Sequence, residues 1–181
     1  MATICTLNDN LLRTTSCGYS LPEVVDLYLA NFSEADGKIL ITSSEDGEDE
    51  ISGITSGVTF YHIEPAKDSA SFSDELGTGD GGNKYRVPSV TFSVTGQYSK
   101  KMHAALDALS LGRFFVVAKT ADGNYLGLGR ITGLEAETAT LAGGSDSNGL
   151  QITLTRNTAE SPLPLSQAAI DAMLAAVKSN G

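Results

Sequence analysis

Residues 113–128 read Arg113-Phe-Phe-Val-Val-Ala118-Lys-Thr120-Ala-Asp122-Gly123-Asn124-Tyr125-Leu-Gly-Leu128, and this stretch decides the fold class. Phe114 to Ala118 is a continuous apolar run, which predicts a strand covered on both faces. Asp122-Gly123-Asn124 follows at once. Asp-Gly flanked by strands signals a hairpin, so Tyr125 to Leu134 is expected to return as the next strand. Gly127, Gly129 and Gly133 lie two or four apart and share a face of it. A face without side chains allows close packing or bends the strand.

Upstream, Ser99 is a plausible N-cap for a helix that ends at Leu111 before Gly112. Met102, Ala105, Leu106 and Leu109 fall on one side of it. Val90, Phe92 and Val94 share a strand face, with Tyr85 and Val87 on the opposite parity. Pro88 between them predicts a bulge or an edge. Val58 to Ile63 reads as a further strand. Residues 74–84 carry four glycines and little to bury, which predicts a long loop. Residues 21–32 are ambiguous. Ser20 and Glu23 fit a capping box, whereas Val25, Leu27 and Leu29 alternate as a strand, and strand is the preferred reading.

Downstream, Leu150, Ile152 and Leu154 alternate with Gln151, Thr153 and Thr155 in a half-buried strand. Ser161-Pro-Leu-Pro164 is extended. A second helix starts at Ser166 and runs to about Val177, with Ile170, Met173, Leu174 and Val177 at helical spacing. No repeat of 20–50 residues is present. Strands do not alternate with helices, so parallel α/β architecture is disfavoured. The expected fold is mainly β: an antiparallel β-sandwich or split barrel with a flanking α-helix and a C-terminal helix. Residues 1–165 form the β domain, with its helix near 99–111, and residues 166–181 a helical extension.

Composition narrows the function. The chain has 181 residues, enough for one core without disulfides. Twelve basic against 22 acidic residues give a net charge of −10. The whole excess lies in residues 1–98, with 15 acids and 5 bases; residues 99–181 hold 7 of each. Attraction to nucleic acid or to an anionic membrane is thereby disfavoured. No apolar stretch approaches the ~18 residues of a membrane helix, and the N-terminus lacks the pattern of a secretory signal. Cys5 and Cys17 alone exclude a disulfide scaffold and an all-Cys metal site; the two could pair, but free buried thiols are the preferred reading. Glu45, Asp46, Glu48, Asp49 and Glu50 read as a solvated acidic loop, with a cation site as the sharper alternative.

The catalytic inventory is thin. His62, in the Phe60-Tyr61-His62-Ile63 strand, reads as a satisfied structural histidine, and His103 lies at the edge of the first helix. No nucleophile, zinc-protease, P-loop or dinucleotide motif occurs. Asp146-x-Asn148-Gly149 lacks the first and twelfth ligands of a calcium loop and reads as a tight turn. Neither enzyme activity, nor a metal, nor a cofactor is expected.

One resemblance bears on function. Gly127-Leu-Gly129, Gly133-Leu134 and the run Ala142-Gly-Gly-Ser-Asp-Ser-Asn-Gly149-Leu-Gln-Ile-Thr-Leu154, followed by Glu160-Ser-Pro162, resemble the C-terminal half of tail tube and related virion proteins of Bacteroidota phages and prophages. Phe60-Tyr61-His-Ile-Glu64, Ser69-Ala-Ser-Phe72 and the Gly-rich segment before Tyr85 are similar too. The resemblance covers about residues 20–165, and the C-terminal helix departs from it. It implies a non-enzymatic structural protein of the virion, made in the host cytoplasm. Six copies would form a ring, inward sheets would join into a channel, and rings would stack through long loops. Partners would be further copies and other tail proteins, with DNA as passing cargo and no membrane. On that reading Val90, Phe92, Val94, Leu126 and Leu128 mark candidate inner strands, within Val90–Val94 and Leu126–Ile131. Tyr85 and Arg86 are candidate subunit contacts, and the acids at 45–50 line a ring end or face solvent. The alternatives are a tail terminator, a sheath-like or capsid decoration protein, and a non-viral β-sandwich binding module.

Overall fold

A computed structural model of the protein describes residues 23–43, 48–95, 100–143 and 148–179. In chain order the elements are β1 (Val24–Asn31), α1 (Phe32–Ala35), β2 (Ile39–Ser43), β3 (Asp49–Ile54), β4 (Phe60–Ile63), β5 (Ser71–Thr78) and β6 (Lys84–Val94). Then follow α2 (Lys100–Leu111), β7 (Arg113–Thr120), β8 (Tyr125–Leu128), β9 (Leu134–Gly143), β10 (Asn148–Thr155), β11 (Leu163–Pro164) and α3 (Gln167–Ala175). Nine strands form one antiparallel sheet, and β2 and β3 form a separate ribbon. The sheet is open, not a closed barrel.

β7 organises the sheet. One edge pairs with β1 along almost its whole length, from Val24↔Thr120 to Asn31↔Phe114. The other edge is shared. Val116–Lys119 pair with β8, whereas only Arg113 and Phe114 pair with β9, opposite Glu135 and Leu134. That narrow seam divides the sheet into two halves. One is β4-β1-β7-β8 with β11; the other is β9-β10-β6-β5.

The halves fold over a common interior. Leu27 and Leu29 of β1, Val116 of β7, Val90 and Phe92 of β6, and Ile152 and Leu154 of β10 meet there. A second core lies on the outer face of the first half. There Phe115, Val117 and Phe60 pack under Ile39 and Ile51 of the ribbon and under Ala169 and Met173 of α3. The run Phe114–Ala118 is therefore buried on both faces, as its lack of alternation predicts. Fully burying a side chain such as Phe92 or Phe115 contributes roughly 2 kcal/mol.

Ser166 caps α3 by accepting a hydrogen bond from the Ala169 N–H at 3.3 Å. The segment after the helix joins the edge of β4. Phe60 N donates to Ala176 O, and Lys178 N donates to Phe60 O. The C-terminal helix is thus part of the second core, since Ala169 and Met173 are both fully buried. The other helix is more loosely held. α2 buries no residue completely, and Leu106 and Leu109 reach only the margin of the interior.

Two expectations need correction. Residues 74–84 are not a loop: Ser71–Thr78 and Lys84–Thr91 form a continuous hairpin ladder, and only 79–83 turn. The tip closes with Gly79 N donating to Asn83 O at 2.8 Å. Tyr125 to Leu134 is not one strand. It breaks after Leu128, where Gly129 (φ 78°) and Gly133 (φ 68°) adopt the left-handed conformation of a turn and start β9 in a new direction. At Pro88 the edge alternative holds and the bulge does not: it faces Asp74 in regular register, and the ladder to β10 stops beside it at Ser89. Proline has no N–H to donate there. Residues 21–32 follow the strand reading from Val24 onward. Glu23 accepts a hydrogen bond from Asp68 N, and Ser20, the other member of the expected capping box, lies outside the described residues.

Candidate assembly surface

Each half-sheet has two faces. The two inner faces make the common interior, and the outer face of β4-β1-β7-β8 is covered by α3 and the ribbon. Among the described residues, the outer face of β9-β10-β6-β5 has no such cover. Strand alternation sends Val90, Phe92, Ile152 and Leu154 inward, so their neighbours in sequence point out.

Those neighbours are hydroxyl-bearing with few exceptions. Register aligns Ser71 of β5, Thr91 of β6, Thr153 of β10 and Thr138 of β9 in one row across four strands. A second row is Ser73, Ser89 and Thr155. A third is Ser93, Gln151 and Thr140. Neighbouring strands stand about 4.8 Å apart, close enough for hydroxyls to meet. Thr91 Oγ1 lies 3.0 Å from Thr153 Oγ1. The first and third rows carry no charge, whereas the second ends on β9 at Glu135, opposite Thr155. Carboxylates stand at the margin: Glu75 on β5, Glu135 opposite Thr155, and Glu137, the extra residue of a bulge in β9. Arg156 and Arg113 pair with Glu135.

This face ends at a free strand edge. β5 pairs with β6 and, among the described residues, with no other strand. Its outward backbone N–H and C=O groups form a template for a further strand. Beyond it the hairpin carries the 79–83 tip. Two contacts stiffen the hairpin. The Tyr85 ring lies over Gly77, so close that a Cβ there would sit 2.2 Å from the ring. Arg86 Nε donates to Asp74 Oδ2 at 2.8 Å, and its backbone exchanges hydrogen bonds with Thr158.

The residues singled out from sequence fall in different places. Tyr85 and Arg86 stand on the hairpin but engage their own chain. Val90, Phe92 and Leu128 are interior, at 0%, 0% and 1% exposure, so their side chains offer no contact surface. Val94 packs at the margin of the same core. Leu126 is half-buried between Ala118 and Pro164. Asp49 and Glu50 belong to β3, with Glu48 just before it, on the ribbon and away from the hydroxyl rows. Glu45, Asp46, Ser99, Cys5, Cys17 and the 144–147 turn lie outside the described residues.

A second polar cluster escaped the sequence reading. Asp26 of β1 accepts from Lys119 Nζ at 3.0 Å and lies 2.8 Å from His62 Nε2. The Tyr28 ring stacks on His62 at 5.0 Å, and Tyr125 stacks beyond it. Register explains the meeting: Asp26 faces Lys119, Tyr28 faces His62, and Lys119 faces Tyr125. Burial works against the Asp26 carboxylate. The hydrogen bonds to His62 and Lys119, with the Lys119 charge, outweigh it and hold the carboxyl below its ordinary range. The hydrogen bond to Asp26 raises Lys119, and burial raises Tyr28. The group clamps three strands where the second core ends. His62 is thus a satisfied histidine, with Asp26 as its partner. The other histidine, His103, sits exposed 3.5 Å from Asp107.

Among the described residues, no three His, Cys, Asp or Glu side chains gather to hold a metal ion. Nor is any described helix long and apolar enough to cross a membrane. Compared with known proteins, the chain matches no family model, no curated protein and no solved structure.

Proposed function

We propose that this protein is a non-enzymatic structural subunit of a phage virion, assembling through its sheet into rings that stack as the tail tube. The observation that carries the reading is the eight-residue strand β5, whose outer edge is unpaired among the described residues. A long free edge favours association unless something blocks it, and joining edges between copies removes it. Further support comes from the sequence resemblance and from the stiff hairpin that carries the tip toward a neighbour. Six copies per ring is the stoichiometry the resemblance implies, with other tail proteins at the tube ends. The net charge of −10 suits a subunit that DNA passes without binding.

Light scattering on the concentrated protein, with negative-stain images of the same sample, tests this. Tubes of constant diameter are expected. Single rings that never stack would move the protein to a tail terminator. A monodisperse monomer at high concentration would overturn the assembly reading.

A further inference from the structure

We infer that the free edge of β5 is a docking site for a second copy of this chain, and that the part of the copy it receives is the ribbon strand β2. The inference rests on the reading of a subunit that assembles through its sheet, and names the partner edge. Backbone pairing runs through the molecule as one path of neighbours. Inside the large sheet it passes from β5 through β6, β10, β9, β7 and β8 to β11. The segment after β11 carries it on to the ribbon. Leu165 N donates to Tyr125 O of β8 at 3.0 Å, and Ser166 N donates to Ile51 O of β3 at 2.9 Å. From β3 the path reaches β2 and stops, since among the described residues β2 pairs with no other strand. Other boundaries are covered. Phe60 of β4 is bonded to the segment after α3, and β9, past its two pairs with β7, lies beside α2. The path thus has two ends, and each copy carries one of each.

The side chains on the two ends match. Leu76 of β5 is 58% exposed, and Leu40 and Ile41 of β2 are 51% and 37% exposed. Natural sheets block free edges with lysine or proline. Neither Ser71–Thr78 nor Ile39–Ser43 holds one. Charge selects between the possible partners. Two β5 strands paired antiparallel over most of their length centre on Asp74 or on Glu75, and set that carboxylate opposite its own copy. Like charges directly opposite are unfavourable. β2 reads Ile-Leu-Ile-Thr-Ser and brings no charge to the edge. Its five residues span about 17 Å, within the length of the eight-residue β5. Because the two edges differ, the contact is head-to-tail, and it leaves a free β5 and a free β2 for the next copies.

Two charge variants, alone and mixed, test the pairing by light scattering. Leu76→Lys blocks the β5 end and Leu40→Lys the β2 end, both at positions exposed in the subunit. The measurement is made at a concentration where the unsubstituted protein assembles. Each variant alone is expected to stay monomeric, with the melting temperature of the unsubstituted monomer. An equal mixture is expected to give a dimer of twice 18.9 kDa and nothing larger, because each variant keeps the end that the other has lost. Assembly of either variant alone, or a mixture of any other mass, overturns the pairing of β5 with β2 and leaves the assembly reading standing. Failure of the unsubstituted protein to associate at any concentration overturns both. If a variant fails to fold, an image reconstruction of unsubstituted assemblies decides between the same outcomes: β2 of one subunit beside β5 of the next supports the pairing, and any other neighbour for β5 refutes it.

Discussion

Replacing Met173 by alanine tests whether α3 belongs to the fold or merely follows it. Met173 is fully buried in the second core, beneath the β1-β7 surface. Truncating a buried Met to Ala removes its transfer free energy and leaves a cavity, together about 3 kcal/mol. For a chain of 181 residues, each kcal/mol shifts Tm by roughly 2–4 °C, so a fall of roughly 6–12 °C is expected. Leu174, next in sequence, is 44% exposed and serves as the control. Its alanine variant should cost under about 1 kcal/mol, because little apolar area is lost. Thermal melts followed by circular dichroism, at a concentration where the protein is monomeric, compare the two. Equal Tm values for the two variants, or a Met173→Ala melt within about 2 °C of the parent, would refute the two-core description.

Gly127→Ala would place its Cβ 2.5 Å from Ile51 Cδ1 and 3.0 Å from the Phe115 ring; overpacking of this kind costs about 1–3 kcal/mol, read as a lower denaturant midpoint. Asp26→Asn should destabilise at neutral pH. Because the folded carboxyl titrates below its ordinary value of 3.8, its contribution is present above that pH and lost as pH falls through the folded value. The gap between parent and variant in denaturant midpoint should therefore close in acid, and a gap that stays constant would dismiss the clamp. Replacing residues 79–83 by Asn-Gly should leave the monomer Tm unchanged and abolish tubes in negative stain; tubes of normal length would show that the tip is dispensable.

The two-sided burial of Phe114–Ala118 was legible because an unbroken apolar run has one economical explanation. Ser166 and the Ile170, Met173 spacing likewise marked α3, since capping and periodicity are local. The β5 hairpin was not legible. Gly77 and the tip glycines resemble a loop, whereas pairing with Lys84–Thr91, the Tyr85 ring over Gly77 and the Arg86–Asp74 contact make a strand of that segment. The break after Leu128 was missed for the opposite reason: three glycines at even spacing suit one strand, whereas two of them take positive φ. The Asp26, His62 and Lys119 cluster joins β1, β4 and β7, distant in sequence, so only register reveals it. The hydroxyl face was half-visible in the alternation of 150–155. Its extent depends on β5, β6, β9 and β10 lying side by side.

The order in which these strands are synthesised has its own consequence. β5 and β6 form a local hairpin and leave the ribosome early, yet β10, which covers the other side of β6, follows much later. β1 waits across a still longer stretch of chain for β7. Such non-local pairings make folding slow. For that interval the nascent hairpin exposes both edges, not one. Exposed strand edges of this kind invite pairing between chains before a core has formed. The yield of soluble subunit should depend on expression rate and on chaperone supply more than on its final stability.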